Sequence, residues 1–150
     1  MSRPEKPCVL LVDDNEATCT LITALLQRDY IIETAADGTQ ALEKLKTGNY
    51  DAVLLDLRMP QLDGFGVLEY LEANRRDMLS HIIVLTAALT KKEIERAKSF
   101  AICAIISKPF ELDDLQAAVK ACIGPSGNPF GSVLTSGVVL LLADLIRRVP

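Results

Sequence analysis

Five polar residues close or follow short apolar runs: Asp13 and Asp14 after VLLV, Asp56 after AVLL, Thr86 after IIVL, and Lys108 after AIIS. A carboxylate set among apolar residues, as in AVLLDLRMP, is costly to bury without partners. If the runs are strands of one open parallel sheet, all five groups reach the same edge, outside the carboxyl ends, where such sheets bind ligands. Two like charges about 4 Å apart repel by about 4 kcal/mol at an effective dielectric of about 20. Three carboxylates gathered there need a proton or a cation among them, and a hard divalent ion such as Mg2+ suits an all-oxygen site. A lysine can pair with phosphate oxygens, a threonine hydroxyl can hydrogen-bond to them, and a carboxylate can become an aspartyl phosphate. The chemistry open to this set is phosphoryl transfer, which depends on positioning and charge neutralisation and needs no histidine base within the chain.

The elements that must position these groups are legible as hydrophobic runs. CVLLV (8–12), AVLLDL (52–57), IIVLTA (82–87) and AIIS (104–107), with a weaker YIIETA (30–35), are short and rich in Val, Ile and Leu. Continuous rather than alternating hydrophobicity predicts strands covered on both faces, as in the parallel sheet of an α/β protein. Helical spacing fills the intervals: Ala17, Leu21, Ile22 and Leu25; Ala41, Leu42 and Leu45 before a C-capping Gly48; Val67, Leu68 and Leu71 after Asp63-Gly64; and Leu112, Leu115, Val119 and Cys122. The segment TKKEIERAKSF opens with a capping box of Thr90 and Glu93 but offers only Ile94, Ala97 and Ala101 to bury. It is the least anchored helix and a candidate to move, and a merely exposed helix is an equally ordinary reading. The predicted order is βα repeated five times.

At 150 residues, 49% hydrophobic and 24% charged, the chain suits one domain with a short appendage. No apolar stretch approaches the roughly 18 to 20 residues that span a bilayer, and MSRPEKP has no signal-peptide core, so the expected location is cytoplasmic with no membrane contact. A net charge of −4 with dispersed Lys and Arg argues against direct nucleic-acid binding. Cys8, Cys19, Cys103 and Cys122 are scattered without a C-x-x-C pair and read as reduced core or surface residues, and His81 has no companion for a metal site. GPSGNPFGS (124–132) reads as a linker. Beyond it, within 133–150, Val138, Leu141, Leu142, Leu145, Ile146 and Val149 share one helical face. That face would dock on the domain, pair with a second copy in a homodimer or meet a larger partner; a disordered end or the stump of a longer chain is the plain alternative.

VDDNE, LLDLRMPQLDG around Asp56, LTA at Thr86 and SKPF at Lys108, in this order at predicted strand ends, resemble the receiver domain of two-component response regulators, the CheY-like family. The resemblance covers about residues 7–123. It implies a flavodoxin-like (βα)5 fold, a doubly wound five-stranded parallel sheet. It implies that Asp56 accepts a phosphoryl group from a sensor histidine kinase or a histidine phosphotransfer protein, and that the signal leaves through contacts with a downstream protein. By the same resemblance Asp13, Asp14, Asp56 and the backbone carbonyl of Arg58 hold Mg2+, Thr86 hydrogen-bonds the phosphoryl group, Lys108 pairs with it, and the Lys108-Pro109 bond is cis. No activity is implied beyond the chain's own phosphorylation and dephosphorylation.

The chain departs from the family at Ile105, where an aromatic residue usually stands and its rotation accompanies inward movement of the threonine. Arg58 and Ala88 stand where the family tunes the lifetime of the phosphoryl group. Met59-Pro60 and Asp63-Gly64 are expected to shape the loop. Other readings stay open: a scaffold that keeps the acidic pocket but no longer switches, or the receiver fragment of a longer regulator or hybrid kinase. A phosphatase-type enzyme is disfavoured, because Arg58 stands where an aspartyl-nucleophile phosphatase generally places a second Asp.

Overall fold

The computed structural model describes residues 6–59, 62–87 and 90–123. The linker at 124–132 and the apolar face within 133–150 lie outside the described residues, as do Pro60 and Ala88. The chain runs β1 (Cys8–Val12), α1 (Glu16–Leu26), β2 (Ile31–Ala35), α2 (Gly38–Thr47), β3 (Ala52–Leu55), α3 (Gly64–Asn74), α4 (Arg76–Leu79), β4 (Ile82–Ala87), α5 (Lys91–Lys98), β5 (Ala104–Lys108) and α6 (Leu112–Cys122). All five expected strands form. The one-turn α4 is an addition to the five expected repeats. It buries Met78 and Leu79, and it starts where Arg75 ends α3 by turning its guanidinium to the carbonyls of Leu45 (2.9 Å) and Gly48 (3.4 Å).

The strands pair in parallel in the order β2-β1-β3-β4-β5. This is the doubly wound order, in which the connection reverses direction at β1 and opens a crevice between the carboxyl ends of β1 and β3. The buried strand residues alternate between two apolar layers. Leu10, Val12, Val53, Leu55, Val84 and Ile105 pack with α2, α3 and α5, and Val9, Leu11, Leu54, Leu85 and Ile106 with α1 and α6. Burial on both faces is what the continuous runs required.

Three expectations are corrected. The α1 stripe is rotated: Ile22 and Leu26 are buried and Cys19 is half-buried, while Ala17 and Leu21 face outward. Helical spacing alone does not distinguish neighbouring stripes of a short helix when both contain apolar residues. β2 is an edge strand with Ile31 47% exposed, so it is not covered on both faces. Cys103 and Cys122, expected as separate thiols, are joined as a disulfide with their Cα atoms 6.1 Å apart. The winding of α6 back along β5 brings together residues 19 apart in sequence.

Tyr50, just before β3, donates its hydroxyl hydrogen bond to Glu33 Oε1 at 2.8 Å. Burial, reinforced by that bond and by the Glu33 charge, pushes the phenol up to about 12. The folded state thus favours neutral tyrosine. The associated stability is complete below the unfolded tyrosine value of about 10 and is lost as pH rises through the folded one. Absorbance titration of tyrosinate is expected to show this late transition, and Glu33→Gln should lower its midpoint only partway, because burial is the larger cause.

Candidate functional site

The strand ladder delivers the acidic residues. β1 and β3 pair with Val12 beside Leu55. The next backbone hydrogen bonds, Asp56 N–H to Val12 O (3.0 Å) and Asp13 N–H to Ala35 O (3.1 Å), hold both aspartates at the crevice. Asp13 and Asp56 are buried, 2% and 6% exposed, while Asp14 faces solvent. One carboxylate oxygen from each of Asp13, Asp14 and Asp56 lies within 4.8 Å of the others. Asn15 caps α1 by accepting from Thr18 N–H at 3.0 Å, and its own N–H is held by Asp13 Oδ1 at 2.9 Å. The helix start and the acidic pair are therefore one rigid turn.

Lys108 closes β5 opposite Ala87 in register. Its Nζ lies 2.7 Å from Asp13 Oδ2 and 3.5 Å from Asp56 Oδ2. The Lys108-Pro109 peptide is cis, as the resemblance implied. Burial depresses the ammonium, but the hydrogen bond to Asp13 and the Asp56 charge outweigh it, so its pKa lies above the ordinary lysine value. Burial pushes the Asp56 carboxyl up, and the Asp13 charge adds to this; the Arg58 N–H, which donates to Asp56 Oδ1 at 3.0 Å, the Lys108 charge and, least of these, the nearby Thr86 hydroxyl oppose it. Thr86 closes the interior of β4 and is fully buried. Among the described residues, its Oγ1 is the one buried side-chain polar atom with no partner within hydrogen-bond distance, although it lies near enough to Asp56 to help lower that carboxyl. An unpaired buried hydroxyl is unfavourable, and its retention calls for an explanation.

The loop after β3 is held by Asp63, which caps α3 by accepting from Gly66 N–H at 3.0 Å, and by Gly64 N–H to Leu57 O at 3.1 Å. The side chain of Arg58 leaves this loop for Glu93 Oε1 (2.7 Å) and Ala87 O (3.4 Å). This contact had no signal in the sequence beyond the capping box that singled out Glu93. Ile105 is 1% exposed and packs in the same apolar layer as Ile94 and Ala97 of α5. An open groove lined by Asp13, Asp14, Glu16, Cys19, Thr20 and Thr34 runs beside the acidic pair.

Three carboxylates, a lysine and a buried threonine thus meet outside the carboxyl ends of a doubly wound parallel sheet, the edge at which such sheets bind ligands. The receiver domain model of response regulators matches residues 9–120, and the chain belongs to that family. The chain is 32% identical over 126 residues to "Probable chemotaxis protein CheY" of Rhizobium etli, covering 83% of this chain and 98% of that protein. It is 34% identical over 118 residues to the alkaline phosphatase synthesis transcriptional regulatory protein PhoP of Bacillus subtilis, covering 77% of this chain but only 48% of PhoP. Among solved structures, the receiver domain of sensor histidine kinase PA1611 from Pseudomonas aeruginosa PAO1 matches with TM-score 0.72 and 32% identity, covering 80% of this chain and 99% of that one. That structure has a magnesium ion coordinated in its active site cleft. Among the described residues of this chain, no helix is long and apolar enough to cross a membrane.

Proposed function

We propose that this chain is a phosphoacceptor of a two-component relay, taking a phosphoryl group on Asp56 from a phosphohistidine of a sensor kinase or phosphotransfer protein. The observation that carries the reading is the convergence on Asp56 of two further aspartates, Lys108 and a buried threonine hydroxyl with no partner. The donor's phosphorus–nitrogen bond breaks as an Asp56 carboxylate oxygen bonds to phosphorus. The imidazole keeps the electron pair and takes up a proton. Lys108, now divided between Asp13 and Asp56, has a new anion to pair with, and Thr86 Oγ1 gains an acceptor. Asp13, Asp14 and Asp56 bring carboxylate oxygens within reach of one ion, and with the Arg58 backbone carbonyl they would make a hard-oxygen donor set that suits Mg2+. Mg2+, when bound, supplies charge neutralisation between these carboxylates and the phosphoryl oxygens. The compartment proposed is the cytoplasm, where the ATP that charges a histidine donor is held, and the output is proposed to be contact with another protein.

The test is incubation with acetyl phosphate and Mg2+, followed by intact-mass measurement. One added phosphoryl group that disappears when EDTA replaces Mg2+ is the expected result. A mass unchanged under all conditions, with beryllium fluoride also failing to bind, would favour the non-switching scaffold.

Thr86→Val separates the cost of the hydroxyl from its use. Valine keeps the branched shape and removes a buried oxygen with no partner within hydrogen-bond distance, so urea denaturation is expected to show a gain of up to about 1 kcal/mol, reduced by what the hydroxyl contributes to the Asp56 charge. The same variant should bind beryllium fluoride more weakly than the wild type. A loss of stability would show that the hydroxyl already has a partner in the resting state.

A further inference from the structure

We infer that the Arg58–Glu93 ion pair is the contact that carries the state of Asp56 to helix α5, in a chain whose position 105 holds no aromatic to do so. The inference rests on the phosphoacceptor reading of Asp56. Among the described residues, Arg58 touches three parts of the site's surroundings. Its backbone N–H holds Asp56 Oδ1 at 3.0 Å, its Nε lies 3.4 Å from the carbonyl of Ala87, the residue after Thr86, and its guanidinium meets Glu93 Oε1 at 2.7 Å. That same Glu93 oxygen accepts from Thr90 N (3.0 Å) and Thr90 Oγ1 (3.3 Å) in the capping box that starts α5. One arginine therefore joins the phosphoacceptor loop, the end of β4 and the first turn of α5.

α5 is suited to respond. It buries only Ile94 and Ala97, and a helix with few apolar contacts has low local stability. Its position depends on polar ties. At its far end Arg96 pairs with Glu69 at 2.7 Å and lies 4.1 Å from the Phe65 ring centroid; at its start stands Glu93 with Arg58. The Arg58 and Glu93 side chains are 51% and 30% exposed. Exposed ion pairs contribute little to global stability, so this one can break without unfolding the domain. A phosphoryl group on Asp56 places new negative charge beside Arg58 and draws the Thr86 hydroxyl, and Ala87 with it. Both changes loosen the hold of Arg58 on Glu93.

The test is a double-mutant cycle of Arg58→Gln and Glu93→Gln in the full chain, read by amide hydrogen exchange across 91–98 with and without beryllium fluoride and Mg2+. Acetyl-phosphate labelling of Asp56 is followed in parallel. In the wild type, exchange in α5 should rise severalfold on adding the mimic. Each single variant should show raised exchange already without the mimic and little further change with it, and the double variant should match either single one. Glu93→Gln should label at the wild-type rate. Additive effects, or an α5 response unchanged in the single variants, overturn the coupling while leaving the phosphoacceptor reading intact. Absence of labelling in the wild type overturns both.

Discussion

Asp56→Asn is expected to remove covalent phosphoryl uptake altogether while the domain stays folded. The carboxylate is the nucleophile in the proposed transfer, and an amide oxygen offers no stable acyl phosphate in its place. The fold should tolerate the change because Asn nearly matches Asp in size and the remaining charges are still paired. Lys108 Nζ keeps Asp13 at 2.7 Å, its nearer partner. Burial disfavours the Asp56 charge, so its removal also relieves a cost. Intact-mass measurement after acetyl phosphate and Mg2+ should show one added phosphoryl group on the wild type and none on the variant, with equal thermal midpoints or a higher one for Asp56→Asn. An adduct that persists in the variant would move the acceptor to another residue.

Gly64→Ala is expected to damage both stability and phosphorylation. A Cβ at Gly64 would lie 2.6 Å from the Asp56 carbonyl oxygen and from Leu57 Cα, and 2.8 Å from Leu57 Cδ2. Two of these atoms are backbone, so relief requires moving the loop that carries Asp56. Overpacking of this kind costs about 1–3 kcal/mol. The labelling rate should fall with it, because the Asp56 carbonyl and carboxylate move together. Gly66→Ala is the control: its Cβ would meet mainly the far end of the Leu62 side chain, which can rotate away. If the two substitutions lower the urea midpoint equally, the close approach at Gly64 does not hold the loop.

The parts of this fold that were legible share one cause: a signal repeated over several residues. AVLL and IIVL could be read as strands because each apolar residue reinforces the next. The Thr90–Glu93 capping box was legible because both of its hydrogen bonds close within one turn. The inward face of α1 is not legible in its sequence because Leu21 and Ile22 are both apolar, and which of them faces inward is set by the sheet beneath. Cys103 and Cys122 looked unrelated because their meeting depends on how α6 folds back along β5.

For the site, the sequence by itself determined which groups exist and which end of each strand bears them: Asp13, Asp14, Asp56, Thr86 and Lys108 each follow a run whose direction is shared in a parallel sheet. Only the tertiary structure decided how they are paired. It placed Lys108 nearer Asp13 than Asp56, left Thr86 Oγ1 without a partner and sent Arg58 across to Glu93. Strand direction follows from local hydrophobic pattern, whereas a hydrogen bond between residues 35 or 95 apart depends on ångström-level packing that no local pattern encodes.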